Sequence, residues 1–277
     1  MRARVHPGHT GAVSGDARPR GFLDPVLASA AVTAIGMLST PLLLGADRAI
    51  ALAADAHLSP GWRATFKAIT SLGNATPYVL LALLALAALA LAARLGRASP
   101  QRVERLRQWG RYPHPLLASL AVSGLLVSVA KPLVGRLRPR LLVSEGLYGF
   151  EPLQLDFAAN SFPSGHAQTV WVVASVLLLL AARLRADLKA VPPAARPGTR
   201  VLLGALCLTV LVAATLVALS RVLLNAHFLS DVLAGSLLGV HTTLWLAPRV
   251  LAPGRARPTP ETCPTSAGGA SPARQRP

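Results

Sequence analysis

Apolar residues in this chain come in long unbroken blocks, and the charges fall between them. No Asp, Glu, Lys or Arg occurs in 25–46, 68–93, 112–130, 157–182 or 201–220, and a further block, 226–247, carries one charge, Asp231, near its start. The blocks lack the two-residue alternation of half-buried strands. They match the roughly 20 apolar residues that a membrane helix needs. Backbone facing lipid must satisfy its own hydrogen bonds, so helices are expected. Trimmed of Pro and polar ends, the blocks predict spans at 22–44, 76–94, 114–131, 165–182, 201–220 and 226–247. A soluble bundle would need polar faces on its helices, and the stretch Tyr78 to Ala93 has none. The expected fold is all-α: a six-transmembrane-helix bundle.

The stretches between blocks complete the outline. Residues 1–20 and 251–277, rich in Pro, Gly, Arg, Ser and Thr, read as disordered tails flanking a 21–250 membrane domain. In the connector 45–75, Ser59-Pro60 followed by Trp62, Phe66 and Ile69 predicts a short amphipathic helix at the interface. Trp62, Trp109, Trp171 and Trp245 fall near span ends, where interfacial anchoring is expected. Ala51-Leu52-Ala53 after the first block also has the small-residue pattern of a cleavage site, which leaves processing of that span open.

Composition supports this outline. Of 277 residues, 52% are hydrophobic and 14% charged, and mean hydropathy is +0.49; soluble domains are about 25% charged. A mainly disordered chain is excluded. Two cysteines, Cys207 and Cys263, exclude a disulfide scaffold and a Cys-rich zinc site. The net charge of +17 becomes informative once the cations are placed on the spans. Twenty of the 28 fall on one side, in both tails and in the loops near 95–113 and 183–200, and eight on the other. The positive-inside rule puts both termini in the cytoplasm of a multi-pass cell-membrane protein. The charge is thus explained by topology and anionic lipid, without a nucleic-acid partner. Only Lys67, Lys131 and Lys189 are lysines, and with abundant Ala, Gly and Pro this suggests GC-rich coding and a bacterial source.

Several polar groups sit where a bilayer should not tolerate them. Lys131 closes the third span, and Arg138-Pro139 follows. Pro163-Ser164-Gly165-His166 opens the fourth. Ser220-Arg221 closes the fifth, and His227 and Asp231 open the sixth. Taken singly these have bland readings: Lys131 or Arg221 can snorkel to headgroups, Ser164 can be an N-cap, and His227 can be a polar packing residue. Asp231 is harder to dismiss, since a charge inside a span costs roughly 2.5–3.5 kcal/mol. His227, four residues earlier, lies on the same helical face. Parity of the spans brings all these groups to one extracytoplasmic mouth, at the ends of helices 3–6.

Together they suggest chemistry. Lys131, Arg138 and Arg221 could receive a dianionic phosphoryl group. The N-termini of the fourth and sixth helices add free N–H groups and positive dipole ends, and Gly165 allows close backbone approach. His227 could serve as a nitrogen nucleophile, with Asp231 holding its other ring nitrogen. His166 could protonate the leaving alkoxide. Phosphate-monoester hydrolysis places a very large demand on a catalyst, which several cations, a nucleophile and an acid would meet together. No His-rich or paired-carboxylate pattern suggests a metal: Glu145, Glu151 and Asp156 lie in the connecting loop with nothing to tie them to one ion. No cofactor is expected.

These residues, Lys131-x6-Arg138-Pro139, Pro163-Ser164-Gly165-His166 and Ser220-Arg221-x5-His227-x3-Asp231, resemble the three-part signature of the type 2 phosphatidic acid phosphatase family. The superfamily includes membrane lipid phosphate phosphatases, glucose-6-phosphatase and the vanadium haloperoxidases. The resemblance implies that His227 forms a phosphohistidine, that Asp231 supports it, and that His166 protonates the leaving oxygen. It further implies that Lys131, Arg138, Ser164, Gly165 and Arg221 bind phosphate without a metal. The expected substrate is a lipid phosphate or diphosphate: phosphatidate, phosphatidylglycerol phosphate or undecaprenyl diphosphate. A phosphotransferase using an acceptor other than water, a haloperoxidase-like vanadate site and a non-catalytic lipid-phosphate transporter are the alternatives. Oligomeric state is open.

Overall fold

The computed structural model describes residues 43–95, 112–153, 155–189 and 198–251. Among these, regular structure is entirely helical. Helix α1 covers 43–57, followed by α2 (Pro60–Thr70), a 3-10 turn (Ser71–Gly73), α3 (Ala75–Leu95), α4 (Pro113–Val134) and the short α5 (Pro139–Glu145). A second 3-10 turn (Phe157–Ala159) precedes α6 (Gly165–Lys189), α7 (Thr199–Leu223) and α8 (Leu229–Leu251). Five segments are long and apolar enough to cross a membrane: Pro60–Arg94, Pro113–Val134, Gly165–Arg185, Thr199–Leu223 and Leu229–Leu246. The first expected span, 22–44, lies almost wholly outside the described residues, as do the N-terminal tail, all but the first residue of the C-terminal tail, and Trp109.

The amphipathic helix expected after Ser59-Pro60 is α2, with Pro60 in its first turn and Ser59 extended at the N-cap. Part of the connector is more ordered than expected, since α1 continues to residue 57. Helices α6 and α8 form the centre, with α4 and α7 against them. Small residues allow the close approach that packing in lipid requires. Ala167, Ala218, Val222 and Val232 form one buried cluster, and Val170, Ala174, Ala214 and Val217 form another. Trp171, partly buried, packs against that second cluster. Polar bonds also cross the bundle: Gln168 Nε2 donates to Ser123 Oγ at 2.5 Å, joining α6 to α4.

The segment between α4 and α6 builds the mouth. Pro132 lies in the last turn of α4, and Gly135 ends the helix in the left-handed region (φ 58°). A side chain there would run into the Glu151 carbonyl, so both conformation and space require glycine. The returning loop then pairs with 135–138: Glu151 N–H donates to Gly135 O (2.7 Å), Leu137 N–H to Gly149 O (3.1 Å), and Ser161 N–H to Arg136 O (2.9 Å). These bonds carry residues 160–164 beneath the α7–α8 turn.

Candidate active site

The starts of α6 and α8 are tied together, because Ser164 N–H donates to the Asp231 carbonyl at 3.0 Å. Asp231 also completes its own helix start. Its carboxylate Oδ2 accepts from Phe228 N–H at 2.9 Å, the reach-back half of a capping box. Asn225, in the left-handed region (φ 51°), turns the chain between α7 and α8. His227 follows in that turn and is 3% exposed.

His227 Nδ1 lies 2.7 Å from the Ser161 carbonyl oxygen and 3.9 Å from Asp231 Oδ2. The sequence placed Asp231 on this nitrogen. The short bond goes instead to backbone, and Asp231 stands behind it at ion-pair distance. A carbonyl only accepts, so Nδ1 carries the proton and Nε2 keeps its lone pair. Burial pushes His227 down to about 4, with Asp231 opposing the shift, so the neutral imidazole is the resting form.

Asp231 is held from other sides. Ser161 Oγ donates to Oδ2 at 2.6 Å, and Arg136 Nη1 reaches Oδ1 at 2.5 Å. Arg136, 1% exposed, was counted only as an external cation in the sequence. It also pairs with Asp47 of α1 at 2.8 Å and donates to Ser230 Oγ at 2.5 Å. Its guanidinium stacks 4.3 Å from the Phe228 ring centre. Ser230 closes the network through Asp47, by its N–H (3.0 Å) and by its hydroxyl. Burial opposes the charge on Arg136, yet Asp231 and Asp47 hold its pKa above the usual range. Sequence reasoning missed Arg136, Asp47 and Ser161. The available signal was Asp47, an acid just beyond the first span with no assigned partner.

The other predicted residues converge opposite this network. Lys131, in the last turn of α4, lies in the electrostatic field of Arg138, Arg221 and Asp231. His166, in the first turn of α6, feels Arg221, His227, Lys131 and Arg138. Arg138 donates to the carbonyls of Ala226 and Asn160, each at 3.2 Å, clamping the α7–α8 turn to the loop. Burial and neighbouring Arg140 lower its pKa to about 10, still charged at neutral pH. Arg221 Nη1 donates to Thr70 Oγ1 at 3.0 Å.

Among the described residues, two buried donors here have no hydrogen-bond partner: Ser164 Oγ and Arg221 Nε. Ser164 occupies the N-cap position, and its carbonyl accepts from Gln168 N–H at 3.0 Å, but its hydroxyl makes no cap bond. Gly165 opens α6, and a side chain there would meet only Val127, at 3.8 Å. Gly73, unmarked in the sequence reading, is the reverse case: a Cβ on it would overlap the His166 ring, with Cδ2 at 2.6 Å. The turn after α2 is therefore a wall of the site, and glycine there leaves room for the imidazole.

A family model described as PAP2 superfamily matches residues 113–253. Two curated relatives are named lipid A 1-phosphatase. That of Rhizobium etli is 26% identical over 173 residues, 62% of this chain and 64% of the relative. That of Rhizobium johnstonii is 30% identical over 181 residues, 65% of this chain and 64% of the relative. The matches thus span less than two thirds of those relatives. Among solved structures, a transmembrane PAP2-type phosphatidylglycerolphosphate phosphatase from Bacillus subtilis aligns with a TM-score of 0.52 at 24% identity, covering 82% of this chain and 94% of that one. That likeness is one of fold.

Proposed function

The chain belongs to the PAP2 superfamily, and from that premise we propose that it is an integral-membrane lipid phosphate phosphatase acting through a phosphohistidine on His227. One observation carries the reading. Buried donors on Ser164 and Arg221 lack partners among the described residues, and Arg221 acts electrostatically on an imidazole whose Nδ1 is tied to a carbonyl, which leaves Nε2 available as a nucleophile.

In the proposed reaction, Lys131, Arg138 and Arg221 hold the phosphoryl oxygens, assisted by the Ser164 hydroxyl and the backbone at Gly165. His227 Nε2 forms a bond to phosphorus as the phosphorus–oxygen bond to the lipid breaks. The leaving alkoxide takes a proton from His166. Water, giving its proton to His166, then breaks the N–P bond, releasing inorganic phosphate and restoring His227. Positive charge develops on the imidazole in the first step. Asp47 and Asp231 together exceed Arg136 by one negative charge, and that surplus lies beside the ring. No metal takes part. The orientation proposed is an extracytoplasmic site with cytoplasmic termini, supported by the cation count, and the first span, 22–44, would bring the five described spans to six. Phosphatidate, phosphatidylglycerol phosphate and undecaprenyl diphosphate are candidate substrates, and the relatives add the 1-phosphate of lipid A.

Purified protein in detergent with EDTA should release inorganic phosphate from at least one member of that panel. It should also carry an alkali-stable, acid-labile phosphoryl label. His227→Ala should lose both, with turnover down by on the order of 10⁴-fold or more. Full turnover in His227→Ala would remove the nucleophile assignment. A cysteine placed at 141–160 should react with an impermeant reagent in intact cells, and labelling only after lysis would invert the orientation.

A further inference from the structure

A cleft of about 370 Å³ opens beside the site, lined by Arg63, Lys67 and Arg140 together with Arg221. One carboxylate, Asp55, faces these four cations, and it is already paired with Arg63 at 2.8 Å. The side chains of Lys67 and Arg140 make no hydrogen bond or ion pair among the described residues. Arg140 instead repels Arg138 and Arg221. Converging like charges without acids to match them raise the energy of the empty protein, and an anion in the cleft removes that cost.

Arg221 belongs to both places. It lines the cleft, and its buried Nε is one of the unmatched donors of the phosphoryl pocket. An anion bound in the cleft would therefore meet the same guanidinium that is read as a ligand of the reacting phosphate. The volume falls within the usual range for small-ligand pockets and exceeds what one tetrahedral oxyanion fills.

We propose that this cleft is a second anion subsite, in which Lys67 and Arg140, with Arg221 shared, receive a second phosphate carried by the same headgroup as the phosphate being removed. The preferred substrate class is then a lipid whose headgroup bears two neighbouring phosphates. This inference rests on the reading of Arg221 as a ligand of the reacting phosphate.

The test compares phosphatidate with diacylglycerol diphosphate, which share a tail and differ by one phosphate. In the full-length wild-type protein, the diphosphate should show the lower KM. Lys67→Ala and Arg140→Ala should each raise that KM about tenfold with kcat within twofold, while phosphatidate kinetics change by less than twofold. Equal weakening for both substrates, relieved by adding the non-substrate lipid phosphatidylglycerol to the micelles, would make the cleft a general contact for anionic headgroups and overturn the proposal. Unchanged kinetics on both would overturn it as well. A binding measurement separates this inference from the phosphatase reading. By calorimetry, inactive His227→Ala protein should bind inorganic pyrophosphate more tightly than inorganic phosphate, and Lys67→Ala should close that gap. Turnover absent from both lipids, with the pyrophosphate preference intact, would sink the enzyme reading and leave the subsite standing. Equal affinity for the two anions in His227→Ala would sink the subsite.

Discussion

Two halves of the site carry similar residues under opposite conditions. On one side, Asp47, Arg136, Ser161, Ser230 and Asp231 form a closed network in which every charge meets a partner. On the other, Lys131, Arg221, His166 and Ser164 face one another with donors left over. Arg136 and Arg138 mark the divide, two residues apart on one loop. The first is forked between two carboxylates. The second holds carbonyls and faces other cations. Matched charges brace a structure, because breaking a buried pair strands the remaining partner. Unmatched donors in a buried mouth indicate a ligand that supplies the missing charge.

This contrast can be broken experimentally. The largest effect is expected where both halves meet. Asp231→Asn removes the charge behind His227 while keeping its shape, and turnover should fall by about 10³–10⁴-fold in phosphate-release assays. A loss below tenfold would make Asp231 purely structural. Lys131→Ala removes one of the proposed anion ligands and should cost about 10²–10³-fold in turnover. It should leave thermal stability unchanged or raised, since a like-charge contact with Arg138 and Arg221 disappears. A clear fall in melting temperature would contradict the division drawn here.

Arg136→Ala should do the reverse of Lys131→Ala in stability. Stranding Asp47 and Asp231 should cost about 3–5 kcal/mol, read as a lower melting temperature, with turnover lost alongside. Arg136→Lys keeps the charge but not the fork, and should recover part of both. Gly73→Ala should act more gently, pressing on the His166 ring and lowering kcat about tenfold with little change in fold. Last, His227 in labelled protein should stay neutral by NMR down to about pH 4. Its pKa lies below the unfolded value of about 6.5. Its contribution to stability is thus full above pH 6.5 and is lost as pH falls toward 4, where the unfolded chain takes up a proton that the folded one does not. Titration near 6.5 would mean that His227 is not buried as described.

Much of this molecule was legible before any fold was known. The long charge-free blocks specified helices because lipid-facing backbone has no other way to satisfy its polar groups; α3, α4, α7 and α8 fall within a few residues of the predicted spans, and α6 starts where predicted but runs on to Lys189. Lys131, Arg138, Ser164, His166, Arg221, His227 and Asp231 stood out as candidates because polar groups at the ends of apolar spans contrast with their surroundings. Gly73 was invisible, since a glycine in a connector looks like any other. That Trp171 packs against a core cluster was equally hidden, because its place near a span end says nothing of the face it presents.

What the sequence determined alone was the five long apolar helices α3, α4, α6, α7 and α8 and the chemical types near their ends, both of which depend on local polarity. The tertiary structure decided the partners. That Arg136 reaches back 89 residues to Asp47, that Ser161 rather than Asp231 holds the His227 ring, and that Arg221 lines a cleft while reaching Thr70 of α2 depend on distant segments arriving together. A residue's charge is written in the chain, but whether that charge is matched depends on geometry.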